Sequence, residues 1–65
     1  MKAHPLASVD PKTAGEVLRE SFSRAAGAEA LFRAFLAERD HNRLGAWFWT
    51  EAYWRIVELD NSQQQ

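Results

Sequence analysis

The stretch that most constrains this chain is Leu44 to Leu59, LGAWFWTEAYWRIVEL, which holds all three tryptophans, the only tyrosine and one of the four phenylalanines. On a helix advancing about 100° per residue, Gly45, Phe48, Trp49, Ala52, Ile56 and Leu59 fall within about a quarter turn and define a core face. Glu51, Arg55 and Glu58 collect on a narrow stripe that faces water, with Glu51 and Arg55 at the i,i+4 spacing of an ion pair. Trp47 and Trp54, seven residues apart, stack roughly opposite the core face, beside Thr50. A small domain can rarely cover both sides of one of its own helices.

Burying a large aromatic side chain is worth roughly 2 to 3 kcal/mol by area, and an exposed pair forfeits it. Tryptophan is also enriched among residues that dominate protein interfaces, because its flat body buries much area for few rotatable bonds. Trp47 and Trp54 are therefore the expected anchors of a docking surface for another chain or a second copy, with Leu44, Thr50 and Val57 around them. The competing expectation is that a neighbouring helix or the N-terminal segment covers both rings and makes them core.

Sixty-five residues form one domain at most, and below roughly 70 to 80 residues a single core seldom supplies more than a few kcal/mol unaided. The chain has no cysteine, which excludes disulfides and thiolate zinc sites and agrees with a reducing, cytoplasmic setting. What is left to supplement the core is oligomerisation, a partner, or very good packing. Eight basic and nine acidic side chains leave a net charge of −1 and are interspersed, so no basic field for phosphates is visible. At 46 % hydrophobic residues the chain is rich enough to fold. The apolar run Leu44 to Trp49 is too short to span a bilayer, which needs about 20 residues, and with no positively charged start followed by an apolar block and a cleavage site, no export signal is expected. Arginine in excess of lysine, with many alanines, points to a GC-rich bacterial genome.

Residues 1–9 lack periodicity and contain His4-Pro5, and are expected to form a flexible arm whose Leu6 and Val9 order only against an apolar surface. Asp10-Pro11 is a strong helix start: an N-cap carboxylate, then proline at the first helical position, where its missing N–H costs nothing. Ala14, Val17, Leu18, Ser21, Phe22 and Ala25 then recur at helical spacing, giving a helix over about 11–25. Gly27 offers a C-terminal cap, but no capping side chain follows to restart a helix. Ala28, Leu31, Phe32, Phe35 and Leu36 form the next apolar stripe, opposite the i,i+4 pair Glu29 and Arg33, in a helix over about 28–40. Arg39 to Arg43, RDHNR, is a turn in which Asp40 and Asn42 suit caps. A third helix spans about 43–59, and 61–65 is expected to be a disordered tail.

The expected fold is thus an all-α, small three-helix domain over 10–60, with helices at about 11–25, 28–40 and 43–59. The alternative is one long kinked helix 11–40 folded back on 43–59 as a helical hairpin. In either, Phe32, Phe35 and Leu36 are expected to meet Phe48, Trp49 and Ala52 across the second turn.

Reactive constellations are sparse. His41 follows Asp40 and lies three residues from Glu38, yet no second histidine shares its turn. Ser21 has no histidine on its helix to activate it and suits packing, bonded back to the preceding turn. Glu16 and Glu20 share a helix face without the Glu-x-x-His pairs of a di-metal bundle, and the three glycines are isolated, so no phosphate loop exists. The expectation is no catalytic residue, no metal and no cofactor. A membrane surface fits poorly, because Glu51, Glu58 and Asp60 flank the aromatics where lysine and arginine would be needed. The function expected is that of a non-enzymatic protein–protein interaction module, acting as a homodimer or an accessory or regulatory subunit. The alternative is a small nucleic-acid-binding helical protein using Arg33, Arg39 and Arg43.

Overall fold

The computed structural model describes residues 10–63, and it is all-α over that span. The expected arm 1–9, with His4, Leu6 and Val9, lies outside the described residues, as do Gln64 and Gln65. Helix α1 is Pro11–Phe22, a 3-10 turn covers Ser23–Ala25, α2 is Ala26–Arg39 and α3 is Arg43–Gln63. The last helix therefore runs through Asn61–Gln63, past the expected end at Leu59. No helix among the described residues is long and apolar enough to cross a membrane.

Helix α1 starts as its sequence dictates. The Thr13 N–H donates to Asp10 Oδ1 at 2.8 Å, satisfying a free amide of the first turn, and Pro11 follows the cap. It ends three residues before its expected limit, at Ser23, whose φ of 50° and ψ of −116° lie where glycine is the favoured residue. Gly27, expected to mark the break, sits instead inside α2 with negative φ. The bend is thus set by a serine, and no local residue preference announces it.

The contacts fix how the helices run. Gly15 abuts Ala52 and Arg55, Glu16 bonds Arg55 and Arg19 bonds Asp60, so α1 climbs in the same sense as α3. Gly27 lies by Tyr53, Arg33 over Trp49 and Ala37 by Gly45, so α2 runs against α3. Residues 11–39 are one run of helical turns with a sharp bend, and its two arms together with α3 make three helices, which combines both expected arrangements.

The α2–α3 connection is a Schellman motif. The Asn42 N–H donates to the Ala37 carbonyl at 2.8 Å and the His41 N–H to the Glu38 carbonyl at 3.0 Å, with His41 at the left-handed position, φ 60°. Asn42 then caps α3, its Oδ1 accepting from the Gly45 N–H at 2.9 Å. One residue closes one helix and opens the next, which makes the hairpin tight.

The core face of α3 is the expected one: Ala52 and Ile56 are buried, and Gly45, Phe48, Trp49 and Leu59 half-buried. The face of α2 is not. Ala26, Ala30 and Ala34 are buried and Ala37 half-buried, whereas Leu31, Phe32 and Phe35 remain 46, 56 and 63 % exposed. Helix α2 is turned by nearly half a revolution from the orientation its bulky stripe suggests. The expected meeting of Phe32 and Phe35 with Phe48, Trp49 and Ala52 is thereby overturned, and only Leu36 of that stripe is half-buried. Volume supplies the reason. The rings of Trp49 and Tyr53 already occupy the space beside Leu18 and Ile56, and a helix that must lie close to them needs small side chains there. Alanines at i, i+4, i+8 and i+11 provide that groove. On α1, Ala14, Gly15 and Leu18 are buried, while Val17 and Ser21, expected inward, are exposed.

The core that results is thin. Ile56 is the only large side chain fully enclosed among the described residues, and most other buried positions are alanine.

Candidate functional site

The outer side of α3 carries the candidate residues. Trp47 and Trp54 are each 55 % exposed and Leu44 80 %; Thr50 and Val57 are half-buried. Helical geometry puts Trp47, Thr50, Trp54 and Val57 on one strip within about 80° of arc, while Leu44 stands about 60° to the side of Trp47. The strip is held rigidly by the helix itself. Thr50 Oγ1 donates to the Ala46 carbonyl at 2.7 Å, so its hydroxyl is satisfied within the helix. The Trp54 ring meets Tyr53 edge-on, centroids 5.3 Å apart at 67°.

Trp47 is a ridge between two shallow depressions. One, of about 560 Å³, is lined by Glu38, His41, Arg43, Ala46 and Thr50 at the α2–α3 turn; the other, of about 280 Å³, by Pro11, Lys12 and Glu51 at the start of α1. The sequence pointed to the indoles but not to these flanks, because Glu38 and Pro11 reach Trp47 only through the tertiary fold.

The third tryptophan is differently placed. Trp49 packs edge-to-face on Phe48, centroids 5.0 Å apart at 79°, and Arg33 lies over its ring at 5.0 Å. Arg33 also donates to Glu29, Nε to Oε2 at 3.0 Å, the i,i+4 pair expected from spacing. Its charge is thus engaged from two sides.

Arg55 departs from expectation. Its guanidinium reaches Glu16 of α1 from both Nε, 3.1 Å, and Nη2, 2.8 Å, and Glu58 from Nη1 at 3.4 Å, instead of pairing with Glu51. Bonding to Glu16 raises its pKa beyond the ordinary arginine value, with Glu58 adding to the same effect. The pairing holds α1 to α3 and leaves Glu51, beside Trp47, without an ion-pair partner among the described residues.

His41 is exposed in the turn, and Ser21 is exposed on α1. Among the described residues no three histidine, aspartate or glutamate side chains converge on a point where a metal ion could sit. The feature that sequence reasoning missed is the outward face of α2, Ala28, Leu31, Phe32 and Phe35. The signal for it was available in the evenly spaced alanines on the opposite side of that helix.

Compared with protein families, curated proteins and solved structures, the chain shows no match to any of the three.

Proposed function

We propose that the chain is a non-enzymatic protein–protein interaction module, working as a homodimer or as an accessory or regulatory subunit, with Trp47 and Trp54 as its docking anchors. The observation that carries this reading is the half-exposure of two indoles fixed on one strip of a helix, with a single large side chain fully enclosed among the described residues. Ordered aromatics cost little entropy to bury, so such a strip favours a partner that covers it. Thr50 and Val57 extend the strip on one edge. On the other, Glu51 and Glu58 would form an acidic rim, which suits a partner with basic side chains around an apolar pocket. The nucleic-acid reading has less support: of Arg33, Arg39 and Arg43, the first is engaged with Glu29 and Trp49 and the second with Asp40 at 3.4 Å.

The test is replacement of Trp47 and Trp54 together by alanine. Because both rings are half in solvent, far-ultraviolet circular dichroism should keep its helical signature while association with the partner weakens by several kcal/mol. Outright unfolding of the double variant would make the rings structural and refute the assignment.

A further inference from the structure

We propose that the outward face of α2 pairs with the same face of a second copy, antiparallel, about a two-fold axis through Leu31. Its apolar residues stand on a different helix from the tryptophan strip, and only Glu38 is shared, since it also lines the depression beside Trp47. Leu31, Phe32 and Phe35 are all about half exposed or more, and with exposed Ala28 they form one stripe along the helix.

Charge placement selects both the partner and its direction. Leu31 and Glu38 are seven residues apart on one side of α2, and Arg24, seven before Leu31, stands in the 3-10 turn that leads into the helix, so the cation is at the start, the leucine midway and the anion at the end. Arg24 and Glu38 are exposed, and neither has an ion-pair partner among the described residues. A two-fold rotation about Leu31 reverses the helix and keeps each flank on its own side. It therefore sets Arg24 of each copy beside Glu38 of the other, twice per dimer. The same operation places Phe35 over Ala28 of the second copy, a large side chain against a small one. A parallel arrangement would instead leave Arg24 and Glu38 about 20 Å apart along the axis, with no such pairing.

The area is that of a reversible complex. The exposed parts of the three large side chains with their flanks amount to roughly 400–500 Å² per copy, and a total of about 900 Å² is below that of stable specific interfaces and in the range of weak, transient complexes. The expected affinity is micromolar.

Sedimentation equilibrium of the full chain, from micromolar to millimolar concentration at low salt, should show a monomer–dimer equilibrium. Phe35→Glu should raise the dissociation constant roughly a hundredfold, since the buried ring is lost from both copies. Arg24→Glu and Glu38→Arg should each weaken pairing, and the two reversals together should restore it. A chain that stays monomeric to millimolar concentration overturns the proposal. So does a dimer that survives Phe35→Glu and is abolished by the Trp47 and Trp54 replacements, which would assign self-association to the tryptophan strip. Single reversals that the combined swap does not rescue would overturn the antiparallel register.

Discussion

Alanine placed at Gly15 and at Gly27 should have opposite effects, although both glycines lie within helices. By intrinsic preference each replacement stabilises a helix by about 1 kcal/mol, because glycine loses more backbone freedom on folding. At Gly27 the new methyl would meet Tyr53 Cε1 at 3.6 Å, an ordinary contact, so Gly27→Ala should gain about 0.5–1 kcal/mol. At Gly15 the methyl would lie 2.7 Å from the Ala52 carbonyl oxygen and 3.1 Å from Arg55 Cβ. The obstructing oxygen belongs to the α3 backbone and cannot swing aside, so α1 must lift by about half an ångström along its contact, at an overpacking cost of about 1–3 kcal/mol. Lifting would also stretch the Glu16–Arg55 bonds. Gly15→Ala should therefore lose about 1–2 kcal/mol net. In a domain of this size 1 kcal/mol moves Tm by about 4–8 °C, so the two variants should straddle the parent in thermal unfolding followed by circular dichroism. The comparison belongs at one low protein concentration, because self-association would add a mass-action contribution. A Gly15→Ala variant as stable as Gly27→Ala would mean that α1 does not rest on α3 at Ala52.

Two further outcomes follow from the turns and caps. His41→Gly should stabilise the chain by about 0.5–1 kcal/mol in denaturant titration, because φ at His41 is 60° and a side chain there costs energy that glycine avoids; a loss of stability would contradict the Schellman geometry. Asp10 has its carboxyl held below the ordinary carboxylate value, chiefly by the Thr13 N–H bond. With the folded value depressed, the stabilisation it gives is fully present above the unfolded carboxylate range and is lost as pH falls through the folded value. Asp10→Asn keeps the capping bond and should flatten that acid-side decline in Tm, and an unchanged pH profile would refute the linkage.

How much of this was legible in the chain differs helix by helix. Asp10-Pro11 announces its helix start, and Asp40 and Asn42 together mark the next, because capping joins a side chain to amides two or three residues away; the structure chose Asn42 of the two. The core face of Leu44–Leu59 was legible for a related reason: with so many rings, only one side offers Gly45 and Ala52 for close approach, and Trp47 and Trp54 are left over on the other. The bend at Ser23 was not legible, since its backbone is imposed by where α1 and α2 must both reach α3, and Gly27 was a misleading marker. Nor was the partner of Arg55 legible: Glu51 has the right spacing, but Glu16 arrives from another helix and accepts two bonds.

The sequence by itself determined that the chain is helical, where two of its three helices begin, and which side of the last helix turns inward, because each of these depends on residues within a turn or two of one another. Only the tertiary structure decided which side of α2 is inside. Hydrophobicity favoured Leu31, Phe32 and Phe35, yet Trp49 and Tyr53 had already filled the space, and the alanines won because an interior accepts only the volume it has room for.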